Sequence, residues 1–470
     1  TLPSPPLSRH WKFQKLPSRM ASAPDPEDGL IDYERLRQEN IRRNEAMLAS
    51  VRRKADELSA AVRSAKPKRG RPKGSMNQPG KKLDTPSGPS RCSLRSAGLP
   101  PPYLLPDPQS THLSSSLASS ILGAASPPPA EAETRADDFH AGKELVLKPA
   151  HVRRVIKSTL KSMQVLPLVD RTVVAAGNKL GNIGFWDVDA VSEDQDGGGT
   201  GNVFLYRPHR SPVAAIVAHQ AAPQKIYSCS YKGEICLMDF EKENFNMVHL
   251  WDSPVYSLCQ AQNCVRCLYF GDENGGLTLF DERVGKVSTT WDVHDERINS
   301  IEFHPENTHM LATSSTDQTA CIWDVRSMKT KEPDSLKVFE LHGHAQSAYF
   351  SPSGRMLAIT SSCLGGTVRV FSMDDFEMSH EHNNQTGSWL DTFKVIWGWN
   401  DTDLYVGDMR GAIDIISVDV NDSGISALNN TCLQSEYMTS VPCQLSAHPY
   451  KVGHLACANS YGKVFLWTTA

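Results

Sequence analysis

The chain has 470 residues, a formal net charge of -4 and 39% hydrophobic residues, enough for a large folded core. Residues 1–100 hold 21 Lys and Arg against 10 Asp and Glu, a net +11, and the rest of the chain is acidic, at -15. No apolar run approaches the roughly 18 to 20 residues of a membrane span, and no signal-peptide pattern opens the chain. The 11 cysteines follow no regular framework, so we expect a reducing compartment without disulfides.

The first elements in chain order are a leader and a helix. Residues 1–31 predict a disordered leader, and because "MASAPDPEDG" from Met20 reads like a natural start, residues 1–19 are left out of the fold prediction. Residues 32–62 lack Gly and Pro and are rich in strong helix formers, which predicts a helix. Apolar residues recur at Ile41, Leu48, Ala55 and Val62 in a short heptad seam. Either a solvated single helix or a helix that binds a partner or itself fits this pattern.

Residues 63–142 are rich in Pro, Ser, Gly and Ala and lose periodicity, which predicts a disordered linker. Eight Lys and Arg and no acid lie between Arg63 and Lys82. At the centre stands an R-G-R-P core that resembles an AT-hook, formed by Lys68, Arg69, Gly70, Arg71, Pro72 and Lys73. Gly lets such a backbone lie flat, Pro fixes an extended path, and the two Arg can enter a narrow minor groove. A nuclear-import signal or a solvated basic linker is the alternative.

The rest of the chain, 143–470, repeats one pattern seven times, an alternating strand that ends on an apolar anchor. Five residues before each anchor stand Gly181, Gly233, Gly275, Gln318, Gly366, Gly411 and Gly462. A Gly at this fixed place marks a tight hairpin turn, and anchors 42 to 52 residues apart suit a four-stranded blade. The pattern predicts an all-β, seven-bladed propeller, in which "KELVLKP" at 143–149 supplies the outer strand of the last blade.

Two pairs of potential metal ligands are not expected to bind a metal. Cys264 and Cys267 form a CxxC without a second ligand pair nearby, in sequence that reads as a strand. His342 and His344 form "HGH", but a Gly-His pair commonly begins the first strand of such blades and bonds within the blade. No GxSxG, Walker, HExxH or kinase pattern occurs. We therefore expect no enzyme activity, no metal and no cofactor.

The fourth blade carries a W-D-x-R box. It resembles the box with which substrate receptors dock onto the adaptor of cullin-4 ubiquitin ligases. The resemblance implies adaptor contact by Asp317, Trp323, Asp324 and Arg326, with Arg283 in a looser copy in the third blade. The alternative is that Asp and Arg only stabilise the edge of the blade.

Several segments together resemble one family of WD-repeat proteins, among them "VVAAGNKLGNIGFWDVD", "SAYFSPSGRMLAITSS" and "HNNQTGSWLDTFKVIW". The chain is similar to the WD repeat-containing protein 76 family, which is related to a yeast DNA damage-binding WD-repeat protein and to DNA damage-binding protein 2. The resemblance implies a nuclear, DNA- or chromatin-binding role in the DNA damage response. A substrate receptor of a cullin-4 ligase is the alternative function.

The same resemblance implies DNA contacts by basic loop positions on one propeller face, namely Lys179, Lys232, Arg297 and Arg410. Each of these residues could equally be a solvated surface charge. In the damage-binding protein a hairpin inserts an aromatic wedge into the lesion. Here the corresponding loop reads "NNQTGSWLDTF", so Trp389 could stack on a base or belong to the core, and small residues replace part of the wedge.

Overall fold

The structure is a computed structural model. It describes Arg42 and residues 117–118, 139–190, 202–261, 264–329, 333–362, 366–383, 393–421 and 424–469. The chain divides into two units, Thr1–Ser90 and Arg91–Ala470. In the first unit Arg42 is helical and exposed, while the other residues of the leader, the predicted helix and the basic segment around Arg69 lie outside the described residues.

The second unit is built from four-stranded antiparallel sheets, seven of them within the described residues. One short helix, α1 (Ala141–Glu144), precedes the first strand, β1 (Leu145–Arg154). Sheet 1 contains β2 (Leu160–Val165), β3 (Val173–Asn178), β4 (Ile183–Asp187) and β5 (Asn202–Tyr206). Sheet 2 contains β6 (Val213–Ala218), β7 (Lys225–Ser230), β8 (Glu234–Asp239) and β9 (Asn244–Leu250). Sheet 3 contains β10 (Val255–Gln260), β11 (Cys267–Asp272), β12 (Gly276–Asp281) and β13 (Lys286–Asp292).

The remaining sheets repeat this order. Sheet 4 contains β14 (Ile298–Phe303), β15 (Met310–Ser315), β16 (Thr319–Asp324) and β17 (Lys337–Glu340). Sheet 5 contains β18 (Ala345–Phe350), β19 (Met356–Ser361), β20 (Thr367–Ser372) and β21 (Met378–Asn383). Sheet 6 contains β22 (Ile396–Trp397), β23 (Asp403–Gly407), β24 (Ile413–Asn421) and β25 (Gly424–Leu433). Sheet 7 combines β26 (Pro442–Ala447), β27 (Leu455–Asn459) and β28 (Lys463–Thr469) with β1.

The ring closes through sheet 7. β1 pairs antiparallel with β28, with Leu147 opposite Trp467 and Arg154 opposite Lys463, so the outer strand comes from the other end of the repeat region. The first strands of neighbouring sheets contact one another all the way round, from β2 to β26 and back to β2. The structure is therefore the predicted seven-bladed propeller, closed as expected by the strand that begins near residue 145.

The core is distributed between blades. Seven clusters of buried apolar residues occur among the described residues, one for each pair of neighbouring sheets. Strands in the middle of a sheet are buried on both sides, as in β4, where all five residues are buried. Burial of apolar surface on both sides of each sheet is what stabilises the ring.

Packing extends beyond the boundary expected at residue 143. Phe139 and Ala141 are buried between sheets 6 and 7, with Phe139 edge-on to the ring of Trp399. Leu117 is fully buried in the cluster between sheets 1 and 2, and the amide of Ala118 donates to Glu243 Oε1 at 3.0 Å. The expectation of disorder over 63–142 is wrong at these residues, because their apolar side chains pack into the clusters between sheets of the propeller.

The antiparallel order gives the ring two distinct faces. The upper face carries the turns between second and third strands and the links from one sheet to the next. The lower face carries the turns between first and second and between third and fourth strands. Every residue at a turn or link can therefore be assigned to one face from the strand order alone.

The fixed position before each third strand has the backbone geometry that the repeat predicts. All six Gly at this position have positive φ, and the seventh residue, Gln318, adopts φ 73°. At Gly181 a Cβ would lie 2.1 Å from the backbone oxygen of His209, so this turn also needs Gly for space. The repeat thus marks a left-handed turn that presses against the link into the next sheet.

Candidate functional site

Three of the expected basic residues lie on the upper face, each within the turn before a third strand. Lys179, Lys232 and Arg410 are all exposed. Arg410 Nε lies 3.5 Å from Asp408 Oδ2, so part of its charge is compensated. Neither Lys179 nor Lys232 forms an ion pair with a described carboxylate. The turn geometry therefore presents their ammonium groups to solvent.

Further cations join them on the same side of the ring. Arg154 ends β1, Lys157 lies in the link into sheet 1, and Arg207 and Arg210 lie in the link into sheet 2. We call the following exposed set, which spans sheets 7, 1 and 2, the basic arc: Arg154, Lys157, Lys179, Arg207, Arg210 and Lys232. No side chain of the basic arc forms an ion pair with an acidic side chain in the part of the chain that the structure describes, although the backbone amide of Arg210 donates to Glu234 Oε2 at 3.2 Å. An otherwise acidic body thus gathers positive charge on one sector of one face.

Apolar and aromatic side chains accompany the basic arc. Tyr461, in the turn before β28, is 69% exposed, and Leu180, next to Lys179, is 48% exposed. Both belong to upper-face turns of sheets that carry the arc. Cations interleaved with an exposed aromatic ring can neutralise phosphates and stack on a base. Sequence reasoning identified Lys179 and Lys232 but missed the rest, because only the ring brings residues of the first strand beside those of sheets 1 and 2.

Arg297 occupies a different place from the other predicted contacts. It is half-buried at the upper mouth of the central channel, with its guanidinium carbon 4.7 Å from the centre of the Tyr256 ring. Its Nε donates to Asn299 Oδ1 at 2.8 Å. Arg297 therefore faces the axis of the propeller, whereas Lys179 and Lys232 face outward. Trp389 and the AT-hook-like residues 68–73 lie outside the described residues.

The W-D-x-R box ends at the lower face. Asp324 accepts two hydrogen bonds from Arg326, from Nε at 3.0 Å and from Nη2 at 2.7 Å. These bonds to the Arg326 side chain hold the pKa of Asp324 at about 2. The Arg326 side chain remains 62% exposed. Arg283 occupies the equivalent turn of sheet 3 and is also exposed, with its amide bonded to Asp281 Oδ1 at 2.9 Å.

Comparison with known proteins agrees with this geometry. The model for the WD domain, G-beta repeat, matches residues 285–324 and 335–372, which run from β13 to β20. The chain is 28% identical over 490 residues to WD repeat-containing protein 76 of Mus musculus, covering 95% of this chain and 76% of that protein. The chain is a WD-repeat propeller and a homologue of that protein. Both the fold and the family resemblance predicted from sequence are confirmed.

Two further relatives support the relationship. WD repeat-containing protein 76 of Xenopus laevis is 27% identical over 340 residues, covering 69% of this chain and 55% of that protein. DNA damage-binding protein cmr1 of Aspergillus terreus is 25% identical over 346 residues, covering 65% of this chain and 63% of that protein. This WD-repeat protein thus spans between about half and three quarters of the length of these relatives.

Two residues expected at the adaptor contact belong to the interior of a blade. Trp323 is 3% exposed, and its indole Nε1 donates to Thr313 Oγ1 at 2.8 Å. Asp317 lies at the upper-face turn, 2.8 Å from His294 Nδ1, and the other nitrogen of His294 lies 2.7 Å from Thr313 Oγ1. Asp317 and Trp323 therefore tie the strands of sheet 4 together. Only Asp324 and Arg326 of the four reach the lower face.

The hydrogen bonds of this network lower the pKa of Asp317. Partial burial opposes ionisation of Asp317, but bonds from His294 and from the amide and hydroxyl of Thr319 outweigh it. The pKa of Asp317 therefore lies well below its ordinary value of 3.8. A carboxylate held this way serves the blade rather than a partner.

The cysteine expectation is corrected by the structure. Cys264 and Cys267 are joined by a disulfide. Cys264 precedes a turn and Cys267 follows it as the first residue of β11, and the amide of Cys267 donates to the Cys264 oxygen at 2.8 Å. A turn places side chains three residues apart on the same side, with the two Cα atoms 5.3 Å apart. The expected absence of disulfides is wrong at this pair, and the strand assignment is wrong for Cys264, which lies outside β11.

The histidines of "HGH" do not bond inside their own blade as expected. His342 and His344 are both exposed, and His344 Nδ1 lies 2.5 Å from the backbone oxygen of Thr316 in the preceding sheet. Within the described part of the chain no group of three or more His, Cys, Asp or Glu has metal-binding geometry. None of the helices found there has the length and apolar character to cross a bilayer.

A polar channel interior is the main feature that sequence reasoning missed. A cavity of about 430 Å³ runs along the axis and is lined by residues from all seven inner strands. Lys394 and Glu302 both line it; burial lowers the pKa of Lys394 to about 8 and raises that of Glu302 to about 8. A signal was present, since Lys394 interrupts the apolar run "FKVIW" at the start of an inner strand.

Proposed function

We propose that this WD-repeat protein is a non-enzymatic nuclear protein that binds DNA or chromatin in the DNA damage response. The observation that carries the proposal is the basic arc, a sector of exposed cations on the upper face whose side chains form no ion pair with a described acid. The name of the Aspergillus terreus relative, DNA damage-binding protein cmr1, supports the same class of ligand.

The basic arc explains how an acidic propeller can attract a polyanion. Each Lys or Arg that neutralises a phosphate releases condensed counterions, so the logarithm of the binding constant falls by about 0.9 per contact for each unit of log salt. The contacts are to the backbone, so they favour DNA of any sequence. The arm around Arg69 and Arg71 adds minor-groove contacts in this proposal.

The test is a salt titration of duplex binding with the full chain. A triple variant, Lys157→Glu with Lys179→Glu and Lys232→Glu, should lower affinity and reduce the magnitude of the salt slope by roughly 3. The matched control reverses three exposed lower-face cations, Lys242, Lys286 and Arg355. Equal losses in both triple variants would show that the upper face has no particular role.

The arm is tested separately. Replacing Arg69 and Arg71 with Ala in the full chain should weaken duplex retention, with the largest effect on A·T-rich duplexes, because narrow minor grooves attract Arg most strongly. The basic arc variant should lose affinity for all duplexes alike. Unchanged retention after the double replacement would remove the arm from the DNA-binding account.

A second candidate function is docking onto the adaptor of a cullin-4 ubiquitin ligase as a substrate receptor. The observation in its favour is that Arg326 is exposed on the lower face yet held in one orientation by Asp324. A pre-oriented Arg loses less side-chain freedom on binding, which is typical of interface anchors. Because the basic arc lies on the opposite face, one molecule could engage DNA and adaptor together.

A further inference from the structure

The upper mouth of the channel holds two cations on one organising residue, Asn299. Its side-chain oxygen accepts from Arg297 Nε at 2.8 Å, and its backbone oxygen accepts from Lys394 Nζ at 3.2 Å. The Asn299 side-chain nitrogen donates to the Ala345 oxygen at 2.7 Å, which fixes the amide. Asn299 thus holds a guanidinium and an ammonium near each other.

These two charges lack a counterion among the described residues. Neither Arg297 nor Lys394 forms an ion pair with any carboxylate in the described ranges. Lys394 is also within 3.5 Å of the Tyr349 hydroxyl, a neutral group. Two cations bonded to the oxygens of one residue favour the binding of a negatively charged group from outside the chain.

The shape of the site restricts what can enter. Lys394 lines the 430 Å³ cavity, which lies inside the ring of seven inner strands. A cavity of this size admits a slender side chain or a small ligand. A DNA duplex, whose major groove alone is about 12 Å wide, has to lie across the face instead.

The walls of the cavity match a side chain with an aliphatic stem. Ala214, Ala215 and Leu258 contribute apolar surface, and Gln164 and Gln444 contribute amides. A stem of methylene groups would lie against the apolar wall while its carboxylate reaches the two cations. Carboxylates accept charge-assisted bonds from Arg and Lys that are about twice as strong as neutral ones.

We propose that the channel mouth is a binding site for an acidic protein segment, with a Glu or Asp side chain inserted between Arg297 and Lys394. The site is distinct from the basic arc, because the arc faces outward on sheets 7, 1 and 2 and the two cations face the axis. The protein would then recognise a protein partner through its channel and DNA through the rim of the same face.

The experiment measures binding of fluorescent hexaglutamate and of matched hexaglutamine to the full chain. Wild-type protein should bind hexaglutamate and bind hexaglutamine at least tenfold more weakly. Lys394→Met, which keeps an unbranched side chain, should lower hexaglutamate affinity about tenfold and leave duplex binding unchanged. Lys286→Met, at an exposed residue of the lower face outside the arc, is the matched control and should leave hexaglutamate binding unchanged.

The outcomes separate this site from the proposed DNA-binding role. Equal hexaglutamate binding by wild type and Lys394→Met, or no binding by wild type, would overturn the channel proposal while leaving the duplex titration intact. Inorganic phosphate that binds in a Lys394-dependent way while hexaglutamate does not would also overturn it, in favour of a free phosphate site. An Asn299→Ala variant, tested for cooperative unfolding first, should lose hexaglutamate affinity as well, because it releases Arg297.

Discussion

Asp324 binds the guanidinium of Arg326 through two hydrogen bonds and leaves that guanidinium exposed on the lower face of the propeller. The two residues are separated by one position at the end of β16, so the same turn that ends the strand orients the Arg. An isolated exposed ion pair contributes little to stability. This supports the proposal that Asp324 orients Arg326 for contact with a partner, rather than stabilising the blade.

The first prediction concerns this pair. Arg326→Ala should abolish co-purification with the cullin-4 adaptor while duplex binding and the melting temperature stay near wild type. Asp324→Asn should give an intermediate loss, because the Arg keeps its charge but loses its ionic anchor. Arg355→Ala, another exposed lower-face cation, is the control. Adaptor capture that is equally strong with Arg326→Ala would leave the box without a docking role.

The second prediction concerns the left-handed turns. Gly181→Ala should destabilise the protein by more than about 2 kcal/mol, because the new Cβ meets the His209 oxygen and φ is 87°. Gly285→Ala should cost only about 1 kcal/mol, because φ is 68° but nothing lies within 4 Å of the added Cβ. Urea unfolding of both variants separates crowding from backbone strain.

Gln318→Gly is the reciprocal change at the one turn that lacks Gly. Gln318 has φ 73°, its side chain is exposed, and its backbone oxygen accepts from the Leu341 amide at 2.9 Å, a bond that Gly retains. Relief of the left-handed strain should outweigh the entropy of the added Gly and stabilise the protein by up to about 1 kcal/mol. A clear loss of stability would mean that the Gln side chain makes a contact of its own.

The repeat made the ring predictable, because a positive φ five residues before an apolar anchor is a local requirement that sequence records directly. Closure by the strand near Leu145 was predictable from the alternating apolar residues at 143–149. The candidate functional site could be predicted from the sequence less completely than the fold. Arg154 and Lys232 are far apart in the chain and come to one sector of one face only through ring closure, and Asn299 organises Arg297 and Lys394 across two sheets. The turn at Cys264 was missed because a short apolar run does not distinguish a strand from the turn before it.

The third prediction uses the acid of the blade 4 network. The folded pKa of Asp317 lies below its ordinary value, so its stabilising contribution is present above about pH 4 and is lost as pH falls below that. Asp317→Asn should therefore lower the unfolding free energy most near neutral pH, and the difference from wild type should shrink as the solution is acidified. A difference that does not vary with pH would mean that hydrogen bonds rather than charge carry the effect.

The fourth prediction concerns the carboxyl group of Glu302 inside the channel. Burial raises its pKa to about 8, partly offset by the amide of Phe350, which donates to Oε2 at 2.6 Å. The folded state therefore keeps a proton that the unfolded state releases near its ordinary pKa of 4.5. The contribution of Glu302 to stability is fully present below that value and is lost as pH rises to about 8.

The test compares wild type with Glu302→Gln, which stays neutral and can still accept the Phe350 bond. Relative to this variant, wild type should lose up to roughly 5 kcal/mol of unfolding free energy between pH 4.5 and 8. Parallel pH profiles of the two proteins in urea unfolding would show that Glu302 is ionised in the folded channel.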